Sequence, residues 1–239
     1  MCGRFTNTGK KTDEIQTKLA ERLGVSLPDS DRGFERFNIA PTQEVLAAVE
    51  DERGRRLEAL RWGLIPHWAK DAKLAFKMIN ARAETVLEKP AYRSLAGHGK
   101  NRCLILADGW YEWQKPEDPG QPRRPMHFSV DGGEPFFFAA LWTAWTSPEG
   151  ETVPSCTIVT CEANELARPI HDRMPVVLSD PAGWEAWLDP ALDGAAASEL
   201  LVPLPADLLS VSPANPVVNS GRHEGPDCLR VEAPARLAA

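Results

Sequence analysis

Short apolar runs separated by turn-forming residues dominate the chain. Residues 45–49 and 57–62 are apolar-rich and flank the charged stretch 50–56, which reads as a hairpin of two strands. Residues 103–107 form a wholly apolar run and read as a buried strand; Asp108-Gly109 turns it, and 110–114 continues extended. Further strands are expected at 126–130, 136–142 and 156–160, with a late one at 209–211. Residues 37–42 make a short extended piece that Pro41 holds out of helix.

Helical periodicity is rarer. Ile15, Leu19 and Leu23 recur every four residues in 13–23, and Thr12 can cap that helix. Asp180-Pro181 opens a short helix through Leu188, with proline at its first position. A second is expected over 195–201, a short one at 83–87, and a single helical turn at 162–166. Three stretches read as loops: 24–33, 62–68 (where Gly63 and Pro66 break regular structure) and the Pro/Gly-rich 115–125. There is no repeat, no low-complexity block and no linker. The pattern predicts one α+β domain, a curved antiparallel sheet or barrel core with peripheral helices. It is expected to span 2–220, with a fraying tail at 221–239.

Composition narrows the class. No apolar run is long enough to span a membrane, and Lys10, Lys11, Asp13 and Glu14 interrupt any signal-peptide core. A cytoplasmic protein without a membrane partner is expected. The 5 cysteines include no C-x-x-C pair, so free thiols in a reducing compartment are expected, with no metal and no cofactor. The net charge is −7 but uneven: 22 Lys and Arg against 18 Asp and Glu up to Pro125, and 5 against 16 beyond it. One basic face is compatible with that split.

The candidate chemistry begins at Cys2. Aminopeptidases remove Met1 when the next side chain is small, and the chain would then begin with a 1,2-aminothiol. Its amine can form an imine with an aldehyde, and its thiolate can close a thiazolidine. Asn80 and Arg82 alternate with apolar neighbours, so in an extended segment they share a face. Glu112 lies between Trp110 and Trp113, where desolvation would raise its pKa and suit it to acid–base work. His171, followed by Asp172, is a proton shuttle at neutral pH. Trp62, Trp68 and Pro41 offer flat faces on loops, on which bases could stack, and Arg4 and Arg93 could meet phosphates. Singly, each has an ordinary structural reading: small core residue, strand Asn, solvent-facing Glu, structural His, core Trp.

Together they form a pattern. Met1-Cys2-Gly3-Arg4-Phe5, Asn38-Ile39-Ala40-Pro41-Thr42, Arg61-Trp62-Gly63-Leu64-Ile65-Pro66, Ile79-Asn80-Ala81-Arg82-Ala83-Glu84-Thr85, Ala107-Asp108-Gly109-Trp110-Tyr111-Glu112-Trp113 and Ile170-His171-Asp172-Arg173-Met174-Pro175 occur in that order. They resemble the motifs of the SOS-response-associated peptidase (SRAP) family from Cys2 to about Leu178, more weakly to about Val218. The resemblance implies a role in the DNA damage response. Family members bind single-stranded DNA with an abasic site and crosslink to it through the N-terminal cysteine. It implies Cys2 as nucleophile and Asn80, Glu112 and His171 in its pocket. Arg4, Arg82, Arg93 and Arg173 would meet phosphates, Trp62 and Trp68 would stack or wedge, and Pro41 and Thr160 would also face DNA. The pattern departs at Ala69, where a second aromatic is expected. A monomer is expected, nucleoid-associated when bound to DNA, with its acidic C-terminal part facing away.

Two other readings stay open. Cys2 with His171 and Asn80 superficially resembles the set of an N-terminal-nucleophile hydrolase or autoprotease. Trp62, Trp68 and the arginines could serve a non-catalytic single-strand binder.

Overall fold

The computed structural model describes residues 2–8, 21, 24–25, 35–118 and 120–230. The helix expected at 13–23 lies outside the described residues, as do most of the loop at 24–33 and the end of the tail. Strands follow in chain order. They are β1 (Phe5–Asn7), β2 (Arg36–Ile39), β3 (Glu44–Asp51), β4 (Gly54–Trp62) and β5 (Asn80–Arg82). Next come β6 (Arg102–Ala107), β7 (Gly109–Gln114), β8 (Arg124–Val130) and β9 (Phe136–Thr146). The last are β10 (Thr152–Glu162), β11 (Arg173–Pro175), β12 (Val177–Leu178) and β13 (Leu209–Pro213). Among the described residues the α-helices are short: α1 (Arg93–Gly97), α2 (Pro181–Leu188) and α3 (Gly194–Ser198).

Five strands close on themselves. β4 pairs with β3, β3 with β6, β6 with β9 and β9 with β10, all antiparallel. β10 then returns to β4 in parallel, Ser155 opposite Arg61 and Cys156 opposite Trp62. The ring has no free edge within it. β5 and β11 extend β10 outward, and β12 lies on β9. A second sheet, in the order β13-β8-β7-β1-β2, is antiparallel throughout. This is the α+β barrel architecture expected from the strand pattern.

The alternation along β9 joins the layers. Phe138 meets Phe5 edge-on at 5.6 Å, and Phe136 meets Trp110 at 6.1 Å, both from the second sheet. Phe137 points the other way, onto Trp184 of α2 at 5.1 Å. All three phenylalanines are buried, each contributing roughly 1.5–3 kcal/mol by burial. α2 starts where the sequence places it: the Asp180 carboxylate accepts from Gly183 N at 2.9 Å, and Pro181 takes the first turn.

Some elements differ from the sequence reading. The 50–56 hairpin turn is tighter, because Gly54 takes φ +86 and lets the strands continue to Asp51 and from Gly54. The helical turn expected at 162–166 lies later: β10 runs through Glu162, Asn164 Oδ1 accepts from Ala167 N, and Arg168 N donates to Asn164 O at 2.9 Å. Beyond position 220 the chain is folded onto the body as far as the described residues go. The Glu224 carboxylate accepts from the backbone N–H groups of Phe37 and Asn38, and Cys228 is buried beside Phe37 and Tyr111. Among the described residues no helix is long and apolar enough to cross a membrane.

Candidate active site

Four chain segments bring the chemistry together. The first is the N-terminal one. Residues leading into β1 run alongside β7: Tyr111 N donates to Arg4 O at 3.0 Å, and Phe5 lies opposite Trp110. Buried Asp108 braces this strand, accepting from Thr6 Oγ1 (2.6 Å), Thr8 N (2.7 Å) and Thr8 Oγ1 (2.5 Å). Cys2 is thereby held in the interior, fully buried, its Sγ 3.9 Å from Arg4 O.

The second segment is β5. It lies parallel to β10, Asn80 opposite Ile158, and Asn80 Nδ2 donates to Cys2 O at 2.7 Å. Its Oδ1 is buried and has no hydrogen-bond partner among the described residues, so an acceptor stands ready beside Cys2. Tyr92 Oη donates to Asn80 O at 3.4 Å.

The third is β7 itself. Glu112 is 3% exposed, and burial pushes its carboxyl up to about 7 against the pull of the amino-terminal charge; Asp172 adds a smaller upward push. Burial also pushes the Cys2 thiol well up, and the charge of Glu112 reinforces it. The fourth is the stretch before β11. Burial and then the amino-terminal charge hold His171 below the ordinary imidazole range, with Asp172 opposing. His171 Nδ1 has Arg173 N and Asp172 Oδ1 each at 3.0 Å. The first suits a neutral ring with its proton on Nε2; the second suits the protonated ring. Near pH 7 the site thus combines a protonated thiol, a carboxyl between its two states and a neutral imidazole.

The residues expected to face DNA divide. Arg82, at the end of β5, and Arg93, at the start of α1, are exposed; Trp68 is exposed; Pro41 is half-buried in the turn after β2. Arg4 turns inward, donating to Asn38 Oδ1 at 2.9 Å and to Val218 O. Arg173 forms a two-pronged pair with Glu84 at 2.7 and 2.9 Å and also donates to Thr160 O. Thr160 is buried, its hydroxyl donating to Ala81 O at 3.3 Å. The placement of Trp62 on a loop is corrected. It ends β4, is fully buried, donates from Nε1 to Ile79 O and packs edge-on against Phe5 at 5.2 Å. An indole so enclosed is core, and its face is not open for stacking.

Three supporting residues escaped the sequence reading: Asp108, Asn38 and Glu84. Asp108 read only as a turn residue before Gly109, yet an acid inside an apolar stretch was its signal. For a metal, His223, Asp227 and Cys228 are the one group of donors within 4.8 Å of one another among the described residues. His223 Nε2 is already 2.8 Å from Asp227 Oδ2.

The model of the SOS response associated peptidase (SRAP) family matches residues 1–221. The chain belongs to the SRAP family. It is 40% identical over 230 residues to the abasic site processing protein YoqW of Bacillus subtilis, covering 96% of this chain and 99% of that one. It is 32% identical to the abasic site processing protein YedK of Escherichia coli (96% and 99% covered), and 32% to HMCES of Xenopus tropicalis (96% and 78%). A phage-related protein of known structure from Bordetella bronchiseptica is 30% identical with a TM-score of 0.66, covering 89% of this chain and 93% of that one. A protein from Bacteroides thetaiotaomicron, 22% identical with a TM-score of 0.80 over 97% and 100%, shares the fold. SRAP members are thus closely related to this chain over nearly its whole length.

Proposed function

We propose that the chain processes abasic sites in single-stranded DNA by crosslinking to them through Cys2. The observation that carries this reading is the pairing of Cys2, clamped at its carbonyl by Asn80, with a buried carboxyl poised at about 7. The relatives' names supply the substrate class.

The steps follow from these groups. Loss of Met1 frees the Cys2 amine. Its nitrogen attacks C1′ of the ring-opened sugar aldehyde, and a proton moves to the carbonyl oxygen. Glu112, protonated, delivers a proton to the resulting hydroxyl, which leaves as water and gives the iminium. The Cys2 thiol then adds to C1′, its proton passing to the Glu112 carboxylate, and the thiazolidine closes with one water released overall. Neutral His171 is a second proton acceptor for ring opening. Because the imine is consumed, β-elimination does not follow and the strand stays whole.

A hydrolase built on a Cys2–His171 pair is less well supported. Such thiols are activated by a lowered pKa, whereas burial raises this one. The test compares two oligonucleotides on denaturing gels, one with a natural abasic site and one with its tetrahydrofuran analogue, which has no aldehyde. A denaturation-resistant adduct is expected with the first only. Equal adduct with both would defeat the mechanism.

A further inference from the structure

The chain beyond β13 brings three different metal donors to one place. His223, Asp227 and Cys228 each put one donor atom within 4.8 Å of the other two. Asp227 and Cys228 sit in the single turn Pro226–Leu229, and His223 lies just before it. The backbone that carries them is fixed. Asn38 Nδ2 donates to Ser220 O at 2.9 Å and to His223 O at 2.8 Å. Asn215 N donates to Cys228 O at 3.0 Å, and Cys228 N donates to Gly225 O at 3.1 Å. Cys228 is fully buried in one cluster with Phe37 and Tyr111. The His223 and Asp227 side chains are half-exposed, so an ion held between the three keeps a fourth position open to water. Glu224 is already engaged, its carboxylate accepting from Arg36 Nε and from the N–H groups of Phe37 and Asn38.

The donor set selects the ion. A thiolate, an imidazole and a carboxylate together suit zinc and its neighbours, whereas calcium and magnesium take oxygen ligands. One thiolate and one carboxylate also balance two positive charges. Ligand atoms around tetrahedral zinc stand roughly 3.3–3.7 Å apart, so side-chain movements on the order of 1 Å would close the site. His223 Nε2 and Asp227 Oδ2, 2.8 Å apart, would part slightly to admit the ion, with the ring proton on Nδ1. Burial, and after it the charges of Asp227 and Glu224, pushes the Cys228 thiol up to about 11. The thiol is therefore protonated near pH 7. On binding, its S–H bond breaks, the proton passes to solvent and a metal–sulfur bond forms. The lack of a C-x-x-C pair hides such a site in the sequence, because its donors are mixed and close together in one turn.

We propose that His223, Asp227 and Cys228 bind a zinc-class divalent ion, which fixes the turn they share against β2. The amine and thiol of Cys2 can themselves chelate metal, so the test uses Cys2→Ser protein, stripped with EDTA and titrated with cobalt(II) and zinc(II). Cobalt(II) is expected to give the near-ultraviolet charge-transfer band of a cobalt–thiolate bond and the intense visible bands of a tetrahedral ion. Zinc(II) is expected to bleach both, and magnesium(II) to leave them. His223→Gln, Asp227→Ala and Cys228→Ser, each made in that background, are expected to weaken zinc binding at least about 10-fold, the least that losing even an outer partner costs. His223 and Asp227 are half-exposed, so two of the three variants keep the fold whatever Cys228→Ser does. Zinc(II) at about 100 times its dissociation constant is expected to raise Tm by about 5–10 °C in the Cys2→Ser protein, and about half as much or less in the variants. Absence of the cobalt–thiolate band overturns the site. So does zinc binding less than about 10-fold weakened in any one variant, or a Tm that zinc leaves unmoved.

Discussion

Two buried carboxylates on one stretch of chain, Asp108 just before β7 and Glu112 midway along it, have different surroundings. Asp108, just before the strand, receives three hydrogen bonds from Thr6 and Thr8 and ties the N-terminal strand in place. Glu112, four residues on, is buried to the same degree, and burial dominates its ionisation, lifting it to about 7. The difference teaches what burial does to an acid. Where three donors converge on it, an acid serves as a brace; where burial outweighs its other interactions, its pKa rises toward neutrality. Asp108 ties down the strand that follows Cys2, and the charge of Glu112 adds to the upward push on the Cys2 thiol.

That contrast can be broken in order of effect. The largest concerns Glu112. Glu112→Gln keeps the shape and removes the proton exchange, so the rate of adduct formation at pH 7 is expected to fall at least about 100-fold. Single-turnover kinetics on an abasic oligonucleotide read this directly. A rate near the parent's would move the acid–base role elsewhere, with His171 next in line.

The brace comes second. Asp108→Ala strands the donors of Thr6 and Thr8 in the interior, and a loss of roughly 2–4 kcal/mol is expected. In a chain of this size that lowers Tm by about 5–15 °C. Thermal unfolding checks it, and an unchanged Tm would show that the three bonds contribute nothing net.

The third prediction follows the ionisation of Glu112 with pH. Glu112 holds its proton more tightly folded than unfolded, from the ordinary 4.5 to about 7. The folded state therefore binds the extra proton between those values, so this contribution to stability falls as pH rises through that window and is flat above it. The shift corresponds to roughly 3 kcal/mol. Glu112→Gln is expected to flatten that decline and to be the more stable protein above pH 7, so activity and stability move in opposite directions at this residue. Denaturant melts from pH 4 to 8 would show it; parallel parent and variant curves would contradict it.

The smallest effect belongs to Glu84→Gln. Its pair with Arg173 is half-exposed on the Glu84 side, so a stability change of at most about 1 kcal/mol is expected, shrinking with salt. A larger, salt-independent loss would mean that Glu84 does more than orient Arg173.

The same contrast explains what the sequence could reveal. Strands such as β3, β4 and β6 are legible because apolar runs bounded by turn residues encode them locally, and α2 because Asp180 and Pro181 announce it. β1 and β5 are not: three residues each, they exist because β7 and β10 pair with them. Barrel closure between β10 and β4 is equally invisible along the chain. In the site, Asn80, Glu112 and His171 could be named because polar residues interrupt apolar neighbours, and Cys2 because it follows Met1. That Asp108 is braced depends on Thr6 and Thr8, a hundred residues away from it along the chain. Trp62 misled for the same reason. Its neighbours Gly63 and Pro66 signal a loop, while its burial is decided by Phe5 and Ile79.

The central claim is that the amine and thiol of Cys2 both end up on one sugar carbon. Intact mass spectrometry of the protein mixed with a natural abasic oligonucleotide tests it most directly. The expected species lacks Met1 and weighs one water less than the protein and oligonucleotide combined, and it is stable to denaturation for the parent but not for Cys2→Ser. Retention of Met1 in an adduct, or an equally stable adduct from Cys2→Ser, would contradict it.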